Sequence, residues 1–469
     1  MSLFHQVISY LPEVARPTEK RLSFKEKLKW TLIILALFFA LGLIPLYGLG
    51  PNELRQFQFL SIILGAEFGS IVSLGIGPIV TASIMLQLLN GAGVLKFDLT
   101  TTEGKKDFQG LQKLLSLAFV LFESMVYVFT GGLGPAQGIN PLVIVFQLVL
   151  GGLLILFMDE VVTKWGFGSG ISLFIAAGVS KSIMVRLLSP MIASPIVDQA
   201  GRTLLFYWET NQPPVGAIPA ISYFLGQGDL VEVLAALLAI ATTVAIFVIA
   251  VYAQAMKVEI PLSFGRIRGH GIRWPLAFIY TSNIPVILVA ALLANIQLFA
   301  TLLQRAGFPI LGTYAGNVPD SGLVVWLAPP NLLSLIVRGA LRPLDVAHAL
   351  SYMFFMIAGA VLFSIFWMKT SGMDARSQAK QMLSSGLQIP GFRRDERILE
   401  SILNRYITPL TVMGAITVGF LSSAADISGA LTSGTGLLLT VMIIYKLYED
   451  IAKQHAMDMN PMMRRFIGE

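Results

Sequence analysis

The chain has 469 residues, of which 55% are apolar and only 13% are charged, and it contains no cysteine. Because soluble domains carry about 25% charged residues, this composition excludes an ordinary soluble enzyme. The lack of cysteine excludes disulfides, thiolate metal sites, iron–sulfur clusters and cysteine nucleophiles.

Residues 1–29 are polar and basic and are predicted to form a cytoplasmic N-terminal segment. The first apolar run is too long for the hydrophobic part of a signal peptide and has no A-x-A cleavage site. A helix needs about 20 apolar residues to cross the hydrocarbon core of a membrane. The uncharged runs therefore predict ten membrane-spanning helices, at residues 30–49, 75–92, 111–131, 140–160, 168–188, 233–256, 275–299, 345–368, 406–426 and 431–450.

The connections between these spans differ in charge. With the N-terminus inside, the inner connections hold 26 Lys and Arg residues and the outer ones hold 7. This asymmetry follows the positive-inside rule, and a missed span would mix the two sets. We therefore predict a multi-pass protein of the cell membrane with both termini in the cytoplasm. Its predicted parts are a first half at 30–188, an external loop at 189–232, a second half at 233–455 and a tail at 456–469.

Two apolar segments are too short or too broken to span. Residues 56–68 (QFQFLSIILGAEF) form an apolar stretch of roughly 12 residues, a length typical of a re-entrant or interfacial segment. Residues 322–337 are interrupted by Pro329 and Pro330, which favours a partly embedded outer loop. Non-helical backbone at membrane depth must be buried in protein or face water, so a half-helix entering from outside implies a cavity there.

The two halves resemble each other weakly. The fifth span opens with GSGISLFI at residues 168–175, and the tenth opens with GTGLLLTV at residues 434–441. This similarity predicts that spans one to five and six to ten are inverted repeats, an arrangement found in many transporters. Similarity of small residues in apolar helices also arises by chance.

The sequence contains no phosphate-binding loop and no GxSxG nucleophile elbow, so we predict no enzyme activity and no cofactor. A carrier driven by an ion gradient needs ionisable groups near the membrane midplane. Glu123 is the only clear mid-span carboxylate, and it is interpreted either as a proton relay or as a packed, hydrogen-bonded residue. Asp159, Glu160, Lys164 and Asp426 are expected at span ends, in reach of water. A secondary transporter with inverted repeats is therefore the weaker alternative.

Branched apolar residues are spaced to share helix faces in the second and fifth spans. Ile76 and Val80 are four residues apart, and so are Ile171 and Ile175, which places each pair on one face of a helix. A ring of such side chains would form a hydrophobic constriction, which blocks ions because it cannot replace their hydration shell. The open alternative is that these residues face lipid or a neighbouring helix.

Two inner connections are long and basic, at residues 257–274 and 369–405. The second is too long for a simple turn. Their charges are interpreted either as a headgroup anchor or as a docking surface for a large anionic partner such as ribosomal RNA. The arginines in question are Arg266, Arg268, Arg393 and Arg394.

Several blocks together resemble the SecY family, the central subunits of protein-conducting channels, in its archaeal branch. They are residues 74–82 (LGIGPIVTA), 164–175 (KWGFGSGISLFI), 282–287 (SNIPVI), 391–394 (GFRR) and 434–440 (GTGLLLT). The resemblance begins near Pro12 and extends to the C-terminus. It implies an all-α membrane protein of ten helices, in two inverted five-helix halves around a central pore, with a short re-entrant plug helix. The external loop at residues 189–229 matches no motif of the family.

The resemblance also implies roles for individual residues. The pore ring would comprise Ile76, Val80, Ile171, Ile175, Ile287 and Leu439. The plug would be the segment near residues 56–68, with Phe57, Phe59, Leu60, Ile62, Ile63 and Leu64. Polar positions of a lateral gate would be Thr81, Gln87 and Asn295; the alternative interpretation is that they form ordinary interhelical hydrogen bonds.

As a family member, the chain would pass unfolded secretory polypeptides and release signal sequences and membrane spans sideways into lipid. The implied partners are a single-span subunit resembling SecE, a small beta subunit completing a heterotrimer, and the ribosome, docked at Arg266, Arg268, Arg393 and Arg394. A secondary carrier and, last, a membrane-embedded enzyme such as an insertase or lipid transferase are the competing interpretations.

Overall fold

A computed structural model gives the arrangement of most of the chain. It describes residues 11–18, 22–52, 67–91, 93–95, 97, 102–129, 132–197, 203–210, 212–264, 271–281, 284–305, 308–315, 318–384, 387–388 and 395–459.

Helices dominate the described residues. In chain order they are α1 Phe24–Gly42, α2 Gly77–Gly91, α3 Thr102–Phe129, α4 Pro141–Trp165, α5 Gly170–Leu188, α6 Tyr207–Thr210, α7 Ala217–Gln227, α8 Leu230–Ala255, α9 Ile284–Arg305, α10 Leu323–Trp326, α11 Leu332–Val337, α12 Pro343–Thr370, α13 Ala375–Ser384, α14 Glu396–Ile427 and α15 Gly434–Met459.

Each of the ten predicted spans overlaps one long helix, namely α1 to α5, α8, α9, α12, α14 and α15. Six of these, α3, α4, α5, α8, α12 and α14, are long and apolar enough to cross a membrane by length and composition alone. The prediction of an all-α polytopic membrane protein is therefore confirmed.

Several helices run past the apolar stretch that predicted them. Helix α3 begins at Thr102 rather than 111, and α14 begins at Glu396 rather than 406. The first turn of α14 is stabilised by Asp395, whose side chain accepts a hydrogen bond from Arg397 N at 2.9 Å. A helix satisfies its own backbone hydrogen bonds, so it can continue into water once a cap fixes its start.

The seventh span begins later than its apolar run predicts. Residues 271–277 form a strand, and α9 begins only at Ile284, nine residues after the predicted start at 275. Pro285 follows directly, in the first turn, where its missing N–H is no loss. Leu276 of this strand is buried against protein, and hydrophobicity alone does not distinguish such a residue from one in a span.

Short strands connect the helices. They are β1 Leu49–Asn52, β2 Leu133–Pro135, β3 Met191–Val197, β4 Thr203–Phe206, β5 Lys257–Phe264, β6 Gly271–Ala277, β7 Thr313–Ala315, β8 Val318–Ser321 and β9 Leu387–Gln388. They pair antiparallel, β1 with β2, β3 with β4 and β7 with β8, and the last two pairs are hairpins. The exception is a three-stranded sheet of order β6-β5-β9.

The two segments expected to be external are structured. The loop at 189–232 contains the β3–β4 hairpin and helix α7, which packs against α8. In the segment at 322–337, Pro329 and Pro330 separate the short helices α10 and α11, so this apolar run does not form one spanning helix, as predicted. Arg338, just beyond α11, forms an ion pair with Glu232 at the start of α8, at 2.9 Å.

The chain forms two compact units, Met1–Val179 with Ile443–Glu469, and Ser180–Met442. A core of the first unit contains Leu46, Leu74, Val120, Ile144 and Leu148. The largest core of the second unit lies among α8, α9, α12, α14 and the start of α15. Each unit buries apolar side chains between neighbouring helices while other apolar side chains face outward, as a membrane protein requires.

Candidate functional site

Two of the predicted ring residues lie at the start of α2. Gly75 adopts a left-handed conformation, with φ +54°, and the helix follows at Gly77. The backbone N–H of Val80 donates to the carbonyl of Ile76 at 3.0 Å. Ile76 and Val80 therefore stand one helical turn apart, on one face, as their spacing predicted. The side chain of Ile76 is buried and that of Val80 is half-buried.

The next two ring residues lie in the first two turns of α5. Ile171 is half-buried, whereas Ile175 is buried. The start of this helix contacts α4, since the N–H of Ile171 donates to Oδ1 of Asp159 at 2.9 Å. Gly170 is needed at this contact because a Cβ there would lie 2.6 Å from the Cα of Asp159.

The second unit contains the two remaining ring residues. Ile287 lies in the first turn of α9 and is half-buried, and Leu439 lies in α15 and is buried. The start of α15 is held by Asp426 of α14, whose Oδ1 accepts from the N–H of Gly434 at 2.8 Å. Because the six residues are divided between two units that are described separately, the ring that would join them stays a prediction.

Asp426 lies at the end of α14, as expected of a span end, whereas Asp159 lies inside α4. Asp159 is followed by six more residues of α4, and each carboxylate accepts a hydrogen bond from the backbone of the following long helix. Asp426 also accepts from the hydroxyl of Tyr352 at 2.8 Å. The repeated GSG and GTG motifs were the available signal, but only the packing of the helices shows which carboxylates meet them.

One of the three predicted gate residues has a partner that the sequence did not reveal. The exposed Thr81 in α2 lies close to the carboxylate of Glu123 in α3. Gln87 donates to the hydroxyl of Ser83 one turn earlier in the same helix, at 3.1 Å. Asn295 lies in α9, and its side chain is outside the described residues. Both interpretations of Glu123 stay predictions.

Two groups of predicted residues fall outside the part of the chain that the structure describes. They are the plug residues Phe57, Phe59, Leu60, Ile62, Ile63 and Leu64, and the docking residues Arg266, Arg268, Arg393 and Arg394. Both groups stay predictions.

The strands next to the docking arginines are nevertheless described. Residues 265–270 connect β5 with β6, and residues 389–394 directly follow β9. In the sheet, Phe264 pairs with Leu387 and Ser263 pairs with Gln388. The two basic segments therefore extend from neighbouring strands, although more than a hundred residues separate them in sequence.

A separate hydrophobic core supports this sheet. Ile260 of β5 and Leu276 of β6 pack with buried residues of α12, α13 and α14, including Met368, Ala379 and Leu403. The hydroxyl of Tyr280 donates to the carbonyl of Met373 at 2.8 Å, and burial raises the pKa of Tyr280 to about 12. The sheet is thus fixed to the ends of three helices, which makes it a firm base for its basic connections.

The N-terminal segment is attached to α3 and to the end of α4 by a charged network. Lys113 contacts Glu160, and Glu160 accepts from the N–H of Val14 at 2.9 Å. Lys164 forms an ion pair with Glu13 at 2.6 Å. The hydrogen bond and charge of Lys164 hold the pKa of Glu13 below its ordinary value. No sequence motif announced this network, because its members are up to 151 residues apart.

Among the residues that the structure describes, no group of three His, Asp or Glu side chains is placed to hold a metal ion.

The sequence and the fold of this chain are similar to those of known proteins. The SecY family model matches residues 70–448. The protein translocase subunit SecY of Methanothermobacter thermautotrophicus is 44% identical over 472 residues, covering 99% of this chain and 98% of that protein. A solved structure described as that of a protein conducting channel has a TM-score of 0.76 at 40% identity, covering 96% of this chain and 97% of its own. Sec61 from a canine ribosome-channel complex of the endoplasmic reticulum has a TM-score of 0.74 at 38% identity, with the same coverage of both chains.

Taken with the ten helices, the glycine-led starts of α5 and α15 and the ring residues near them, this similarity over nearly the whole length identifies the chain as a member of the SecY family.

Proposed function

We propose that this chain forms the protein-conducting channel of a translocase, through which unfolded polypeptides cross the membrane. The observation that carries the proposal is its similarity, along nearly the whole chain, to a protein translocase subunit and to a protein-conducting channel. The chain acts as a conduit and catalyses no chemical reaction itself. Its energy comes from the partner that feeds the polypeptide.

The proposed seal is a ring of Ile76, Val80, Ile171, Ile175, Ile287 and Leu439. Branched apolar side chains around a narrow passage offer no polar atoms to replace the hydration shell of an ion, so ions are excluded. An extended polypeptide displaces these side chains and fills the opening, and the apolar contacts close around it. The burial of Ile76, Ile175 and Leu439 supports this role, because side chains in a closed seal pack against their neighbours.

The proposed lateral exit includes Thr81, Gln87 and Asn295. A signal sequence or membrane span is apolar enough to leave the channel for lipid, whereas a hydrophilic segment is retained. The contact between Thr81 and Glu123 joins α2 to α3 at this place. Interhelical polar contacts of this kind contribute about 0.6 kcal/mol on average, so they can break and re-form as the helices separate.

The proposed orientation places both termini and the β6-β5-β9 sheet in the cytoplasm. The distribution of Lys and Arg supports this orientation. The ribosome would dock on the basic connections that carry Arg266, Arg268, Arg393 and Arg394, through contacts with RNA phosphates. A single-span subunit resembling SecE and a small beta subunit would complete a heterotrimer in the cell membrane, and the segment near 56–68 would plug the outer side.

The seal is tested by replacing Ile76, Val80, Ile171 and Ile175 together with glycine. Because the ring then loses four branched side chains, we expect the idle channel to conduct ions in a planar lipid bilayer. A secondary carrier with the same changes would lose uptake of its substrate without conducting.

The matched control replaces one valine and three isoleucines that are exposed on the helices, Val248, Ile249, Ile416 and Ile444. This variant suffers the same loss of helix propensity but leaves the ring intact, so it should not conduct. Equal ion currents from the two variants, or none from either, would overturn the proposed seal.

A further inference from the structure

Two aspartates hold the starts of two helices that carry ring residues. In the first unit, Oδ1 of Asp159 in α4 accepts a hydrogen bond from the N–H of Ile171 at 2.9 Å. The backbones approach so closely that a Cβ on Gly170 would lie 2.7 Å from the same oxygen. We call this contact the first aspartate clamp.

The second unit contains a contact of the same kind. Oδ1 of Asp426 in α14 accepts from the N–H of Gly434 at 2.8 Å, while Oδ2 accepts from the hydroxyl of Tyr352. A Cβ on Gly434 would lie 1.9 Å from the carbonyl oxygen of Ser422, so α15 also starts against the backbone of the preceding helix. We call this contact the second aspartate clamp.

The two clamps share their relation to the ring. In each unit the aspartate lies on the long helix that immediately precedes the clamped helix, and a glycine starts the clamped helix. Ile175 lies five residues after Gly170, and Leu439 lies five residues after Gly434. The same offset separates the clamped start from a buried ring residue in both units.

The physical effect of a clamp follows from the chemistry of helix starts. The first four N–H groups of a helix have no partner within it. A carboxylate satisfies one of them and interacts favourably with the positive end of the helix. Without the acceptor the first turn frays or shifts along the neighbouring helix, and this displaces a side chain five residues further on.

We infer that Asp159 and Asp426 are positioning residues, which hold Ile175 and Leu439 at the depth of the ring and thereby keep the idle channel closed to ions. The inference rests on the proposed function.

The test measures the ion conductance of the idle channel in planar bilayers. Asp159→Ala and Asp426→Ala each remove one acceptor, and we expect each to raise the resting conductance about tenfold, the factor that corresponds to 1.4 kcal/mol. Asp159→Asn and Asp426→Asn keep an acceptor oxygen and cap helices as well as aspartate does. These two variants should conduct no more than the unaltered chain.

A matched control removes a cap of the same chemistry from a helix without ring residues. Oδ2 of Asp374 accepts from Ser377 N at 3.2 Å at the start of α13. Asp374→Ala should leave the conductance unchanged, which shows that the loss of a cap does not by itself open the channel.

A second measurement applies when an alanine variant does not accumulate in the membrane. Gly170→Ala keeps every hydrogen-bonding group of the first clamp but forces the helix start away from Asp159. Since the chain has no cysteine, the thiol introduced by Ile175→Cys can be probed alone. We expect Gly170→Ala to increase the rate at which a water-soluble thiol reagent modifies this position.

The outcomes separate this inference from the proposed function. Conductance that stays at the parental value in both alanine variants, or rises equally in the asparagine variants, overturns the inference. If the glycine variant of the ring conducts while the alanine variants do not, only the positioning role fails. If the glycine variant of the ring is silent as well, the proposed function itself fails.

Discussion

Gly151 in α4 faces the backbone before α2 so closely that a Cβ would lie 1.8 Å from the carbonyl oxygen of Ile71. The neighbouring Gly152 is similarly close to Val120 of α3, at 2.7 Å. Small residues let helix backbones approach in membrane proteins, where packing replaces the hydrophobic effect as the source of association. The absence of a side chain at Gly151 and Gly152 therefore allows α4 to pack closely against its neighbours in the first unit.

We therefore expect Gly151→Ala to destabilise the protein by about 1 to 3 kcal/mol, the usual effect of overpacking. The measurement is the midpoint of thermal unfolding in detergent. Gly226→Ala is the control, because Gly226 lies in helix α7 with open space around it. An unchanged midpoint for Gly151→Ala would show that the two backbones are free to separate.

The contact between Thr81 and Glu123 distinguishes the channel from a carrier. Glu123→Gln removes the titrating group but keeps an oxygen that can accept from Thr81, so we expect translocation of a secretory polypeptide into vesicles to continue. A double-mutant cycle that combines Glu123→Ala, which removes the acceptor, with Thr81→Val should give a coupling of about 0.6 kcal/mol in unfolding free energy. Abolished transport in Glu123→Gln would instead support a proton-coupled carrier.

At the scale of elements, the N-terminal segment is held without regular secondary structure. Lys164 contacts both the carboxylate of Glu13 and the carbonyl of Val14, and Trp165 donates from its indole N–H to the carbonyl of Ala15 at 2.9 Å. The segment is thus held by side chains at the end of α4, and it also contacts α3 through Lys113. Its attachment depends on charge, and therefore on pH.

Because the pKa of Glu13 is lower in the folded protein, its carboxylate stabilises the attached state above the unfolded value of about 4.5. This contribution is lost as the pH falls from 4.5 through the folded value. We expect the segment to detach over that acidic range, which increases its cleavage by a protease that is active from this range up to pH 7. In Lys164→Met, cleavage should already be high at pH 7 and should change less with pH, and a profile like that of the unaltered chain would contradict the role of the ion pair.

At the scale of the whole molecule, folding brings distant basic segments to one sheet. The pairing of β5 with β9 joins the connection after the sixth span to the connection after the eighth. Two exposed arginines near this sheet lie beside glutamates. Arg273 forms an ion pair with Glu259 at 2.8 Å, and Arg376 lies 4.0 Å from Glu396. A partner that carries phosphates would contact the predicted docking arginines of the two basic connections.

We expect Arg393→Ala and Arg394→Ala each to weaken binding to ribosomes and to reduce the slope of log affinity against log salt by about one. The physical reason is that each phosphate contact releases a counterion. Arg376→Ala, near the same sheet, serves as the control and should leave the slope unchanged. A slope unaffected in all three variants would place the docking surface elsewhere.

The amino-acid sequence was sufficient for the features that depend on local chemistry. Long uncharged runs require helices in a bilayer, so the ten spans and the basic connections could be predicted from residue order alone. The spacing of Ile76 and Val80 was likewise enough to put them on one face. Apolar length did not locate the helix ends, since the last three residues of β6 were assigned to a span and α14 extends ten residues beyond its apolar run.

Contacts between residues far apart in the chain were decided only by the tertiary structure. The partners of Asp159, Asp426 and Glu123, and the pairing of β5 with β9, depend on which helix faces which neighbour. Hydrophobicity is non-directional, so it drives residues into the membrane without choosing their neighbours. Hydrogen bonds and close glycine contacts are directional, and their partners become defined only when the helices have packed.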